Sequence, residues 1–511
     1  MKTENEVETK HTTNREHTPG VLRSLIKEKF LAFSDDSTIH ALRNIGKPSN
    51  HVIIKIVWIL CFLTSGVYCF YSCAQTISNF YSYATTTKLS VVQEIPTLFP
   101  AISFCNLKSL DFTNSYTINY INQNAGILNE DTARLVIGND KNLNDTTRKE
   151  MGFKIEDIID TCTFNTITCN YSDFSYFYSI KYGNCYSFNS GSYLNGSQSK
   201  IKTVSSSGAT YGLQLILYLG DPTADSFPTN SAGVIVSINN QSIVPFTQGD
   251  SVKAAAGTET DIIISRNFNS KLPSPYGDCL LDTSSKSSFS SIYFNYIVKT
   301  VGKNYTQEYC YSLCVQQQTI KYCGCANIWI PGFENSSAIY CSSTSELSCM
   351  NDLFVLNEDN ITTECNQACP FECFSIEYNM ISHKARYPTN YVLVNYLLPI
   401  YSSYGVTSAE IPEAVVKINV YYHKMQYTVT NQVASMEQAD LMGLFGGTLG
   451  LFLGMSFLSF VEVIDLAFQL ISSIAIYFQS KKKLGKIVDQ QDKGAFSKGF
   501  EIDKHESMII S

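Results

Sequence analysis

The chain has 511 residues, 37 Lys+Arg against 45 Asp+Glu, a formal net charge of -8 and 17 cysteines. Nucleic-acid backbones select basic surfaces, so a mildly acidic chain of this kind excludes nucleic acid as a partner. The sequence shows neither a nucleophile with its base nor a metal-ligand motif, so an ecto-enzyme is not expected.

Residues 1–20 are polar and aperiodic and are expected to be disordered within an N-terminal cytosolic tail, 1–50. Leu22, Leu25, Ile26 and Phe30 then recur at helical spacing, which predicts a short amphipathic helix docked on a membrane or channel base. His40, in Ser-Thr-Ile-His-Ala, reads on its own as a surface residue. Residues 52–71 form an apolar run in which Lys55 is the only charge, and this defines a first span at 51–77. The run starts about 50 residues into the chain and lacks a small-residue cleavage site, so it reads as an anchor rather than a removed signal. Arg43 and Lys47 precede it, and the first cation after it is Lys88.

Phe80, Tyr81 and Tyr83 follow as an aromatic cluster suited to a membrane boundary, opening an extracellular domain at 78–436. Apolar runs at 211–219 and 233–238 predict strands. Met151, Ile155, Ile158 and Ile159 predict one short helix with a buried face. Cys61, Cys69 and Cys73 belong to or border the first span, which leaves an even set of fourteen cysteines outside it and favours disulfides. Ten of these, from Cys279 to Cys373, cluster late. Zinc is disfavoured because the domain holds only His383 and His423, and spacing alone gives no connectivity. Glycosylation sequons at Asn144, Asn170, Asn195, Asn240, Asn304, Asn335 and Asn360 all fall between the two hydrophobic stretches, as an extracellular segment requires.

The second stretch lies near the chain end. Residues 441–461 carry no charge and, at about 1.5 Å rise per residue, cover a bilayer core of about 30 Å. Glu462 and Asp465 follow, then the uncharged run 466–479 and the cations Lys481, Lys482 and Lys483. This defines a pore-lining span at 437–479 and a tail at 480–511, with both chain ends cytosolic by the positive-inside rule. On one continuous helix, Asp440, Gly443, Gly447, Gly450, Gly454 and Asp465 share a stripe, flanked by Gly446 and Glu462. Phe445, Leu449, Phe452 and Leu453 cover the opposite side. Helix packing alone explains the glycines. It does not explain acids on the same stripe, which instead predict one wall of a cation pathway.

Phe99-Pro-Ala-Ile-Ser-Phe-Cys-Asn106, residues 183–189, Leu272-Pro-Ser-Pro-Tyr-Gly-Asp-Cys279, Cys323-Gly-Cys325 and Gly446-Gly-Thr-Leu-Gly-Leu-Phe-Leu-Gly-Met-Ser456 resemble the degenerin/epithelial sodium channel family. The resemblance runs in consistent order from about His40 to Asp465. It implies an α+β membrane protein, with two transmembrane helices per subunit flanking a disulfide-rich extracellular domain of β-sheet core and peripheral helices. It also implies a homo- or heterotrimer in the plasma membrane that passes sodium and is blocked by amiloride-type compounds. The implied bridges are Cys105–Cys185, Cys162–Cys169, Cys279–Cys373, Cys310–Cys369, Cys314–Cys365, Cys323–Cys349 and Cys325–Cys341.

By the same resemblance, Gly454, Met455 and Ser456 form the selectivity filter, where backbone and hydroxyl oxygens surround a partly dehydrated cation. Met455 departs from the smaller residue of many members, which leaves the sodium-over-potassium ratio open. The family's His-Gly pair stands here as His40-Ala41, and Gly443 matches the position where bulk holds degenerin pores open. Tyr276 matches an aromatic that packs near the top of the first span, with Tyr83 as its expected partner.

In a trimer, Asp440 becomes a carboxylate ring with Glu437 one turn outside it, so calcium is expected at the outer mouth and no cofactor is expected. The resemblance also bears on gating: proton-gated members carry histidines just after the first span, where this chain has Ala84-Thr85, and acids in the lower palm, where 421–435 has no carboxylate, so acid gating is disfavoured. A neuropeptide is the expected extracellular ligand by family analogy. Constitutive or mechanical gating is the runner-up, and a non-conducting cell-surface receptor is the competing class.

Overall fold

The computed structural model describes residues 19–124, 129–222, 231–246, 251–285, 287–333, 338–402 and 405–502. The chain divides into two compact units, one built from residues up to 84 and from 435 onward, the other from 85–434.

The first unit is helical. Its helices are α1 (Pro19–Asp36), α2 (His40–Gly46), α3 (Val52–Tyr81), α6 (Gln438–Leu453) and α7 (Phe457–Ile502). The expected disorder of 1–20 lies largely outside the described residues, and Pro19 and Gly20 open α1. In α1, Leu25, Ile26 and Phe30 are exposed, so this chain by itself does not bury the apolar face. α3 is long and apolar enough to cross a membrane, with mean hydropathy 2.1, and it runs four residues past the expected end at 77. A second helical stretch of spanning length, Phe457–Ser480, has mean hydropathy 1.7.

The second unit is a β-sandwich with helices at its periphery. Its strands are β1 (Thr85–Gln93), β2 (Ala101–Asn106), β3 (Ile159–Phe164), β4 (Phe174–Ser179), β5 (Gly183–Phe188), β6 (Leu213–Tyr218), β7 (Gly233–Asn239), β8 (Ser251–Ala255), β9 (Thr258–Ser270), β10 (Phe374–Arg386) and β11 (Val415–Ala434). One sheet runs β10-β9-β11-β6-β3 and ends on Ile167–Thr168, with β1 paired to β11; the other runs β8-β7-β2-β5-β4. Alternation along β6 sends Leu213, Leu215 and Leu217 inward, and β11 adds Val416, Ile418 and Val420. These side chains pack with Phe104, Tyr186, Phe188, Val234 and Val236 of the other sheet into one core.

β1 and β11 pair antiparallel from Thr85↔Ala434 to Gln93↔Gln426, so the strands next to the two hydrophobic helices are joined to each other. The predicted strands at 211–219 and 233–238 are β6 and β7, the first shorter by two residues at its start and one at its end, the second longer by one. The predicted single helix through Met151 and Ile159 is corrected. Asp145–Met151 and Ile155–Ile158 are separate helices, Gly152 stands between them in an extended conformation, and Ile159 begins β3. All four apolar side chains are buried as a core face requires.

Two helices, α4 (Gln307–Cys323) and α5 (Thr344–Ala368), carry half of the ten late cysteines. Cys310 and Cys314 on α4 bond Cys369 and Cys365 at the end of α5, and Cys323 bonds Cys349. Cys325–Cys341 and Cys279–Cys373 continue the series, while Cys105–Cys185 and Cys162–Cys169 lie in the sheets. Cys61, Cys69 and Cys73 are free thiols.

Candidate functional site

The expectation of one continuous second span is corrected at the residues that matter most. α6 ends at Leu453, Gly454 takes a left-handed conformation at φ 65° and ψ 22°, and α7 begins at Phe457. Glycine enters that region without the Cβ clash that penalises other residues, so it is a natural helix terminator. The Met455 N–H donates to the Leu449 carbonyl at 3.2 Å, and the Gly454 N–H to Gly450 at 3.0 Å, which closes the end of α6. A helix end leaves its last carbonyls without intrahelical partners, so the break frees backbone carbonyls at the end of α6, just before Gly454. Because the helix is interrupted, Asp465 does not continue the stripe of Asp440, Gly443, Gly447 and Gly450.

Within α6 the stripe faces as its sequence requires. Phe452 packs its ring 4.8 Å from that of Tyr68 on α3. A Cβ built at Gly443, Gly446 or Gly447 would meet nothing within 4 Å, and one at Gly450 would meet only the Met455 carbonyl, at 3.9 Å. The glycine face is therefore not a packing face within this chain. At the start of α6, Glu437 and Asp440 form a reciprocal capping box, with the Glu437 N–H donating to Asp440 Oδ2 at 2.9 Å. Both carboxylates are exposed, and each commits an oxygen to the helix start. Among the described residues no group of three His, Cys, Asp or Glu side chains is placed to hold a metal ion, so a calcium site at Asp440 needs carboxylates from more than one chain.

Below the break the two expected acids differ. Asp465 is exposed and accepts from Gln469 Nε2 at 2.8 Å. Glu462 Oε2 accepts from the Thr38 N–H at 3.1 Å, Thr38 Oγ1 at 3.2 Å and Ser37 Oγ at 3.4 Å. Ser459 is fully buried, and its hydroxyl accepts from the Ser456 N–H at 2.9 Å and lies 2.6 Å from Thr38 Oγ1. Neither Thr38 nor Ser459 stands out in the sequence. The available signal was a serine three residues before Glu462, on the same helical face. His40 opens α2, one residue after buried Ile39 and before buried Ala41.

In the first unit, Tyr83 has a positive φ of 50° and its ring lies 6.3 Å from Tyr81. In the second unit, the half-buried Tyr276 donates its N–H to the Pro273 carbonyl at 3.0 Å, across a turn with a cis Ser274–Pro275 bond. Of the sequon asparagines, Asn144, Asn170, Asn195 and Asn360 are exposed, Asn240 and Asn304 are half-buried, and Asn335 lies outside the described residues.

Among ionisable groups of the second unit, Arg266 is buried, pairs with Glu94 and lies 4.9 and 5.0 Å from the Phe268 and Tyr427 rings, which contact each other edge-on. Burial pushes the Asp160 carboxyl above its ordinary range, opposed by a hydrogen bond from Tyr401.

The family model described as "Amiloride-sensitive sodium channel" matches residues 33–466. Acid-sensing ion channel 1 of Gallus gallus is 25% identical over 474 residues, covering 86% of this chain and 84% of that one. Degenerin-like protein asic-2 of Caenorhabditis elegans is 25% identical over 491 residues, covering 86% and 85%. Epithelial sodium channel subunit gamma-2 of Xenopus laevis is 26% identical over 333 residues, covering 62% of this chain and 46% of that subunit. These relatives are channels and not enzymes. A match that runs from before the first hydrophobic helix, through the cysteine-rich sandwich and α6, into the start of α7 places this chain in the amiloride-sensitive sodium channel family, the degenerin/epithelial sodium channel group.

Proposed function

We propose that this chain is a subunit of a trimeric, sodium-selective channel of the plasma membrane, with both termini in the cytosol and the β-sandwich outside. Gly454, Met455 and Ser456 form its filter. The observation that carries this reading is the helix break at those residues, beside a glycine face that the chain itself leaves open. Non-helical backbone at membrane depth is tolerated where it lines a protein-bounded aqueous path. Three copies of such a break supply a ring of oxygen dipoles for a cation.

The opening stimulus is an extracellular neuropeptide, read on family analogy. Histidine, the side chain whose ordinary titration lies nearest neutral pH, is scarce in the second unit, which holds His383 and His423. Acid gating is the second reading, favoured by the names of the acid-sensing relatives and by the burial of Asp160. Expressed channels challenged separately with amidated peptides and with pH steps, with amiloride as blocker, decide between them. Sodium current evoked by peptide at constant pH supports the first, and current evoked by acid alone supports the second. Surface protein with no current under any condition, alone or with related subunits, supports a non-conducting receptor.

A further inference from the structure

Of the 30 residues of α3, all described, Cys69 is the one that this chain buries. It is 3% exposed, while Tyr68 and Phe70 on either side of it are exposed. α6 is the helix that packs along α3 at this level, where Phe452 meets Tyr68. Cys73 stands one turn further on, half-buried, and the two thiols are hydrogen-bonded to each other. A small packing residue accounts for Cys69 by itself. It does not account for a second thiol on the same face, in contact with the first.

Two sulfurs in an apolar contact select a narrow class of ligand. Sulfur is a soft donor, whereas calcium and magnesium take oxygen. No third His, Cys, Asp or Glu joins the pair among the described residues, so a zinc ion would keep two of its four positions unfilled. A soft monovalent ion needs only the two sulfurs. At thiolate–metal lengths of about 2.3 Å, two sulfurs on opposite sides of one ion stand about 4.6 Å apart. Side chains one helical turn apart, with Cβ atoms about 5–6 Å from each other, reach that separation. Charge points the same way. The ion displaces one proton, so two thiols become one thiolate and one thiol about the metal, and the pair stays neutral as an apolar surrounding requires.

We propose that Cys69 and Cys73 bind a soft monovalent metal ion of the copper(I) class between successive turns of α3. The other fourteen cysteines are closed as disulfides, which leaves Cys61 as the competing free thiol. Cys73 lies about 12 Å along α3 from the Tyr81 end and is half-buried, which gives the ion a route in, while the burial of Cys69 keeps water from displacing it. The site lies apart from the filter, and the inference goes beyond the channel reading without resting on it.

The test uses silver(I), a redox-inert stand-in for copper(I), on the full chain purified in detergent and chloride-free buffer. Thiosulfate, a soft sulfur competitor, is set at the concentration where the double variant Cys69→Ser with Cys73→Ser, which keeps Cys61, retains no silver after desalting. Under that condition the wild type and Cys61→Ser should each hold one silver per chain. Cys69→Ser and Cys73→Ser should each hold at least about tenfold less, since removing even a group behind a metal ligand costs that much. Cys73→Met, which restores a soft sulfur, should recover most of the loss, as a mere packing defect would not. If variants at Cys69 do not purify, the competitor is set on Cys73→Ser, and the wild type and Cys73→Met must still hold silver. A wild type that releases silver as readily as the variant used to set the competitor, or single variants that hold as much as the wild type, overturns the inference. Silver is counted without any current, so either result leaves the channel reading where it stood.

Discussion

The ring of Phe452 on α6 lies 4.8 Å from that of Tyr68 on α3, tilted by 56°. This contact turns Gly443, Gly446 and Gly447 to the opposite side, where a new side chain meets no atom of its own chain. A bulky residue at Gly443 therefore acts without an internal clash, through the pathway or a neighbouring subunit. Gly443→Phe is expected to raise resting sodium current at least about tenfold, the effect of ~1.4 kcal/mol on a gating equilibrium. Resting current normalised to surface protein checks this, and an unchanged value would place the stripe away from the gate.

At the break, the left-handed Gly454 cannot accept a side chain without strain. Gly454→Ala is expected to cost about 1 kcal/mol locally and to alter permeability ratios. Ser456→Phe is expected to abolish or reshape current at normal surface level. Reversal potentials in mixed sodium and potassium solutions provide the readout.

The capping box at the start of α6 sharpens the calcium experiment. An asparagine oxygen at position 440 can still accept the Glu437 N–H, so Asp440→Asn removes charge while keeping the helix start. The calcium concentration for half-block of sodium current is expected to rise severalfold in Asp440→Asn. The same value as wild type would leave Asp440 with the capping role alone.

Tyr83 and Tyr276 are expected to couple in gating. An aromatic contact contributes about 0.5–1.5 kcal/mol beyond burial. Single and double alanine variants at the two positions form a cycle, and strictly additive shifts in gating would refute a shared contact.

Asp160 sets an expectation for pH. Its carboxyl titrates above the ordinary value in the folded chain, so the folded state holds the proton more tightly than the unfolded one. Stability is greatest below the unfolded pKa and declines as pH rises toward the raised folded value. Asp160→Asn should flatten that slope and raise the melting temperature of the purified channel at neutral pH. Melting curves at stepped pH check it, and parallel slopes in both proteins would count against a buried carboxylate at this position.

The hydrophobic stretches, the more polar domain between them and its two predicted strands were legible because composition and periodicity report burial directly. The helix break was not. Apolar residues continue on both sides of Gly454, so periodicity carried one helix through it, although a glycine followed by a serine ahead of a new apolar run is a stop and a start signal. The same error recurred at Gly152, where one helical pattern covered two helices and the start of a strand. Thr38 and Ser459 were hidden for a different reason. Their partners lie more than 420 positions apart in the chain, and no local pattern reports a contact of that range.

The bridges between α4 and α5 also restrict how that helix pair can move. Cys310 and Cys314 sit one turn apart on one helix and face Cys369 and Cys365 on the other. Two rungs at that spacing forbid both the slide of about 5.4 Å that would re-register one helix on the other and any rolling of one about its own axis. The pair keeps only the motions of a single stiff rod. Cys279–Cys373 then ties the chain just beyond α5 back to the residue that precedes α4 by some thirty positions, so the rod is tethered near one end by a covalent bond.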